Sequence, residues 1–226
     1  MENNPLVTAG TRVVSRLRIT EIFYSLQGEA RSVGWPTVFI RLTGCPLRCG
    51  YCDTAYAFTG GSVLTLDEIL AAVSAYRSRH VCVTGGEPLA QKACLELLTR
   101  LCDAHYEVSL ETSGAIDVAN VDPRVIKVVD IKTPGSGEQK RNLPENMRHL
   151  TSRDQVKFVL TDRADYDWAK AQISELDLPL RCEVLLSPSA DQLAPRELAD
   201  WILADQLPVR MQIQLHKFLW GDERGR

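Results

Sequence analysis

TVFIRLTGCPLRCGYCDT (37–54) begins as a strand and ends as a set of ligands. In its first half Val38, Ile40 and Leu42 point one way and Phe39, Arg41 and Thr43 the other, because side chains alternate across a strand. A charge in a buried strand is costly unless paired. Arg41 therefore lines a cavity, where it could fork onto a carboxylate, or forms a salt bridge within the protein. The second half holds Cys45, Cys49 and Cys52, spaced Cys-x3-Cys-x2-Cys. A strand running straight into a ligand-bearing loop is how α/β barrels build sites at the C-terminal ends of their strands.

The same arrangement recurs along the chain. RITEIFYS (18–25), HVCVTG (80–85), EVSLETSG (107–114), VIKVVDIK (125–132), DQVKFVLT (154–161), RCEVLLSP (181–188) and RMQIQLHK (210–217) are further strand-like runs. Polar motifs stand at their ends: TGGEP, ETSG, DIKTPG and LSPS. Thr65 and Glu68 form a capping-box signature for a helix from about Leu66. Pro88 predicts a helix start running on through LELLTRLCDA, and two more helices are expected near 163–175 and 195–204. Strand–helix alternation implies a parallel sheet. The expected fold is α/β: a partial, splayed (β/α) barrel of roughly six units with an N-terminal strand extension, short of the about 250 residues of a full eight-unit barrel. A flat doubly wound sheet is the alternative.

The 226 residues are read as one domain, 1–226, with 45% hydrophobic and 24% charged content. No apolar run is long enough to span a membrane, and MENNPLVTAG lacks the pattern of a signal peptide, so a cytoplasmic protein is expected. Net charge is −3, from 26 basic and 29 acidic residues, which argues against a nucleic-acid partner and for a small-molecule substrate.

Seven cysteines are present. Cys82, Cys94, Cys102 and Cys182 are scattered among apolar neighbours and read as small buried hydrophobes. The clustered three admit a zinc site completed by His80 or a distant cysteine, but no second ligand pair exists for it. A Cys49–Cys52 redox pair would leave Cys45 without a role. An iron–sulfur cube normally takes one cysteine per iron. Three cysteines would leave one iron open, and an open position is what separates a catalytic metal site from a structural one.

The triple cysteine, with Tyr51 before its last member, resembles the signature of the radical S-adenosylmethionine (SAM) superfamily, and Thr84-Gly85-Gly86-Glu87-Pro88 resembles its GGEP motif. The resemblance implies that SAM occupies the fourth iron of a 4Fe–4S cluster. Within the superfamily, EIFYSLQGE (21–29), VFIRLTGCPLRCGYCDT (38–54), ETSG, DIKTPGSGE and QLHKFLWG are similar to the 7-carboxy-7-deazaguanine synthase family of queuosine biosynthesis. That family converts 6-carboxy-5,6,7,8-tetrahydropterin into 7-carboxy-7-deazaguanine with loss of ammonia. A 5′-deoxyadenosyl radical removes the hydrogen at C6 and later returns it.

Site residues follow as implications of this resemblance. Cys45, Cys49 and Cys52 would bind the cluster. Tyr51, Cys52, Asp53, Gly86, Glu87, Glu111, Ser113, Lys132 and Ser187 would face SAM. Leu26, Gln27, Gly28, Glu29, Arg41, Thr84 and His216, the last placed at the end of the final strand, would face the pterin. Thr54 would hold Mg²⁺ against the substrate. Gly85 and Gly86 would let backbone approach the ligand, and Glu87 could accept hydrogen bonds from the SAM ammonium. The family usually has glycine where Ala30 stands, which bears on the backbone path of that loop. A flavodoxin-like or ferredoxin-like electron donor and a homodimer are implied as well. Another radical SAM enzyme, such as a glycyl-radical activase, and a zinc-stabilised binding module are the competing readings.

Overall fold

The computed structural model describes residues 14–226; MENNPLVTAG lies outside the described residues. Its strands are β1 (Arg16–Leu26), β2 (Pro36–Leu42), β3 (Ser62–Thr65), β4 (His80–Gly85), β5 (Glu107–Thr112), β6 (Ile126–Asp130), β7 (Gln155–Leu160), β8 (Glu183–Pro188) and β9 (Arg210–Met211). They form one nine-stranded sheet in the order β3-β1-β2-β4-β5-β6-β7-β8-β9. β1 pairs antiparallel with β2 and β3, and every pairing from β2 to β9 is parallel. β9 does not pair back onto β3, so the sheet is an open, partial barrel with an N-terminal strand extension.

The alternation of residues along each strand decides what lies on each side. Val38, Ile40, Leu42, Val81, Val83 and Leu110 turn outward into one apolar cluster, with Leu66, Ile69 and Val73 of α1 (Leu66–Ser74) and Leu97, Leu98 and Leu101 of α2 (Cys94–Asp103). Val156, Phe158, Val184 and Leu186 join a second cluster with Tyr166 and Ile173 of α3 (Arg163–Glu175), Leu178 of α4 (Leu178–Arg181) and Leu198 and Ile202 of α5 (Pro195–Asp205). Each such aliphatic side chain contributes about 1.5–3 kcal/mol through burial. Cys82, Cys94, Cys102 and Cys182 are buried. The capping box of α1 is present: Thr65 accepts from the Glu68 amide and Glu68 from the Thr65 amide. Among the described residues no helix is long and apolar enough to cross a membrane.

Two local expectations are corrected, and two connections depart from strict strand–helix alternation. Pro88 opens only a short 3-10 turn, Pro88–Ala90, and α2 starts afresh at Cys94. The break is held by Gln91, whose side-chain amide donates to the carbonyls of Arg18 and Thr43. The connections β5–β6 and β6–β7 carry no α-helix, the latter being built of 3-10 turns. Last, RMQIQLHK is a strand only over Arg210–Met211; His216 lies in the first turn of α6 (Leu215–Trp220). The Gln212 amide still donates to Leu186 O of β8 (3.0 Å), and beyond it the chain is tied to residues 28–31. Gln212 Oε1 accepts from the Ala30 amide (2.9 Å), and Gly28 accepts from the Leu215 amide (3.0 Å). Arg31 adds an ion pair to Glu183 of β8. The loop after β1 thus bridges the open side of the barrel.

Candidate active site

The inward faces of the strands and their C-terminal loops line a cleft of about 680 Å³. Its wall at the β2 end carries Cys45, Cys49 and Cys52, all free and partly accessible. The loop bearing them is seated on β4. The Gly86 amide donates to Leu42 O and the Glu87 amide to Gly44 O (2.8 Å). A Cβ at Gly85, whose φ is +152°, would meet the backbone of Leu42, and one at Gly86 would collide with Gly44 O and lie 2.8 Å from Cys45 Cβ. The close approach these glycines permit is therefore of backbone to backbone, locking the cysteine loop to the strand-end turn.

Glu87 differs from expectation. Its side chain is fully buried and does not line the cleft. Its oxygens accept from the amides of Leu89 (3.0 Å) and Ser113 (2.7 Å) and from the hydroxyls of Thr112 and Ser113. It clamps the end of β4 to that of β5 instead of offering lone pairs to a ligand. Ser187 is likewise buried and outside the lining, where Ser189 to Gln192 stand instead. Ser113, Tyr51, Asp53, Gly86 and Lys132 do line the cleft. Lys132 Nζ lies 3.1 Å from Asp130 and 5.8 Å from the Tyr51 ring centre.

Four strand ends and α6 bring the other group together. Gln27 Nε2 and Thr84 Oγ1 both donate to the carboxylate of Glu111, at 3.2 and 3.0 Å. Glu111 therefore sits with the residues expected to meet the substrate, not with the cysteines. Leu26, Gly28 and His216 complete that wall; a Cβ at Gly28 would collide with the His216 ring. Gln214 donates to Glu29 (2.9 Å) and to Asp53 (3.1 Å), tying this wall to the cysteine loop. Ala30 holds φ +63°, a left-handed conformation in which glycine would be unstrained. Arg41 reconciles both of its readings. Its Nε donates to Glu21 Oε1 (2.8 Å), yet the side chain, 16% exposed, still lines the cleft. Thr54 donates to Asp53 Oδ1 (2.8 Å), setting a hydroxyl and a carboxylate side by side.

Sequence reasoning passed over Lys157, whose Nζ is 2.5 Å from Glu29 and 3.6 Å from Asp130. Its neighbours Val156 and Phe158 face outward, so the alternation that singled out Arg41 would have found it. It also missed Tyr56, which donates to Glu21 (2.7 Å), and the tail Gly221–Arg226, which lines the cleft with Arg224 over the Tyr56 ring at 4.3 Å.

The cysteine wall fits a cluster with an added ligand. Among the described residues no three Cys, His, Asp or Glu side chains converge as around a single ion, and a cube spreads its thiolates over separate irons. Burial pushes the Cys45 and Cys49 thiols up, and coordination to a metal deprotonates them. The Leu47 amide points at Cys45 Sγ (3.4 Å), a contact that stabilises a thiolate. Tyr51 Oη and Asp130 Oδ1 are buried without a partner among the described residues; both belong to residues lining the cleft.

Residues 39–129 match the Radical SAM superfamily. Over 213 residues the chain is 47% identical to the 7-carboxy-7-deazaguanine synthase of Chlorobaculum tepidum, covering 92% of this chain and 97% of that one. It is 41% identical to that of Koribacter versatilis, covering 92% and 98%. The crystal structure of QueE from Escherichia coli superposes with a TM-score of 0.73 at 26% identity, covering 89% of this chain and 95% of that one. The chain therefore belongs to the 7-carboxy-7-deazaguanine synthase family of the radical SAM superfamily.

Proposed function

We propose that this chain acts as a carbon–nitrogen lyase on 6-carboxy-5,6,7,8-tetrahydropterin, forming 7-carboxy-7-deazaguanine with loss of ammonia. The observation that carries the reading is one cleft with a three-cysteine wall facing a wall of amide, carboxylate, guanidinium and imidazole groups. When bound, the cluster and SAM supply a one-electron reduction and a carbon radical able to take hydrogen from C6. The protein's part is positioning and shielding. Gln27 and Glu29 offer the acceptors and donors that a pterin edge requires. Among the described residues Glu21 engages only Nε of Arg41, which leaves the terminal nitrogens to fork onto the substrate carboxylate. Thr84, Glu111 and His216 flank the ring. Tyr51, Cys52, Asp53, Gly86, Ser113 and Lys132 line the side assigned to SAM. Thr54, beside Asp53, would hold Mg²⁺, an ion that keeps waters and takes substrate oxygens.

The reading includes a single radical SAM domain working as a cytoplasmic homodimer with a flavodoxin-like or ferredoxin-like reductant. Arg48, exposed beside the cysteines and 4.2 Å over the Phe58 ring, gives this face a positive charge that would suit an acidic donor protein. Anaerobically reconstituted protein given the carboxytetrahydropterin, SAM and a reductant should release a product lighter by ammonia. SAM cleavage with the pterin unchanged would favour another radical SAM activity.

A further inference from the structure

Glu29 and Lys157 form the most enclosed ion pair lining the cleft, their side chains 13% and 11% exposed. They come from opposite sides of the barrel's opening: Glu29 from the loop after β1, Lys157 from the middle of β7. The geometry fixes the carboxylate from two directions, since Lys157 holds Oε2 (2.5 Å) and Gln214 donates to Oε1 (2.9 Å). Lys157 is itself steadied by Asp130 at 3.6 Å. Two hydrogen bonds leave further lone-pair sites on a carboxylate that can accept about four.

We propose that Lys157 is a positioning residue for pterin binding, fixing the Glu29 carboxylate in the orientation that reads the pterin's N–H edge. This rests on the pterin reading above. The groups facing Glu29 are Lys157 from β7, and Gln214 and His216 from the C-terminal segment; Asp130 and Glu111 act on Lys157. Burial raises the Glu29 carboxyl, but the charge and hydrogen bond of Lys157, with Gln214 and His216, outweigh it and hold Glu29 well below the usual carboxylate range. In the wild type the accepting form is therefore present throughout the neutral and mildly acidic range. Without the lysine, burial is left largely unopposed, the carboxyl titrates higher, and the accepting form is lost as pH falls through that raised value.

The test uses 6-carboxypterin, which lacks the C6 hydrogen and cannot react, and follows its binding to reconstituted protein by fluorescence from pH 5.5 to 8. Lys157→Met should weaken binding about 10- to 150-fold at neutral pH, the range for a hydrogen bond to a charged group. Its deficit should widen toward pH 5.5 against a wild-type profile, while iron content stays unchanged. In a Glu29→Gln background the same substitution should cost under about twofold, because the two residues act as a unit. Lys157→Arg should recover part of the affinity. Parallel pH profiles, an undiminished loss in the Glu29→Gln background, or loss of iron in Lys157→Met would overturn the proposal. A wild type that neither binds 6-carboxypterin nor turns over the tetrahydropterin would overturn the pterin reading itself, and the two failures are told apart by whether the wild type or only the variants depart from expectation.

Discussion

Replacing Arg41 separates substrate recognition from protein stability. The guanidinium is anchored by a 2.8 Å bond from Nε to Glu21, itself fixed by the Tyr56 hydroxyl at 2.7 Å, and lies over the rings of Phe23 and Tyr56 at 5.6 and 5.8 Å. The side chain lines the cleft, and among the described residues Glu21 takes up only its Nε. Losing one partner of a desolvated charge pair costs about 2–5 kcal/mol, or about 30- to several thousand-fold in affinity. Arg41 is 16% exposed, so water screens part of that attraction, and about 2–3 kcal/mol is expected. Arg41→Ala should raise KM for the pterin about 30- to 150-fold, and Arg41→Lys should be nearly as harmful, since a single ammonium cannot serve Glu21 and fork onto a carboxylate at once. The assay is product formation against pterin concentration, with uncoupled SAM cleavage as the control that should survive better. A wild-type KM in Arg41→Ala would mean that Arg41 does not hold the substrate carboxylate. A lowered Tm with KM unchanged would assign Arg41 to its ion pair with Glu21 alone.

Other substitutions test the remaining groups. Changing Cys45, Cys49 or Cys52 to Ala should abolish the cluster's visible absorbance and SAM cleavage, whereas Cys94→Ala and Cys182→Ala should keep full iron content at about 1–3 kcal/mol of stability; iron loss in either would end the three-ligand account. Thr54→Ser should respond to added Mg²⁺ as the wild type does and Thr54→Val should not; the same response in both makes Thr54 only a turn residue. Glu87→Gln places amide hydrogens against donors, so at about 1.5–3 kcal/mol per charged hydrogen bond a stability loss of about 3 kcal/mol is expected, lowering Tm by about 6–12 °C. An unchanged melt would deny the clamp that Glu87 makes between β4 and β5.

Much of the fold was legible because strand alternation is a local signal. The outward Val38, Ile40 and Leu42 and the inward Phe39 and Arg41 follow from period two alone, and the capping box at Thr65 and Glu68 announces α1. What was not legible depended on distant partners. Gln91 breaks the expected helix by reaching β1, and the segment after Gln212 is tied to residues 28–31, so His216 enters the cleft from a helix. Glu87 looked like a ligand because nothing local shows that Thr112 and Ser113 surround it. The tail's place beside Phe23 and Tyr56 has no local signature. Lys157 was legible and passed over: a lysine flanked by Val156 and Phe158 carries the same signal as Arg41.

The proposed function requires that the cleft present C6 of the pterin to SAM bound at the cysteine wall. Carboxytetrahydropterin bearing deuterium at C6, incubated anaerobically with reconstituted protein, SAM and reductant, tests this most directly by mass spectrometry of both products. Deuterium is expected in the recovered SAM or its adenosyl fragment, together with a deazaguanine product lighter by ammonia. SAM cleaved with all deuterium still on the pterin would contradict it.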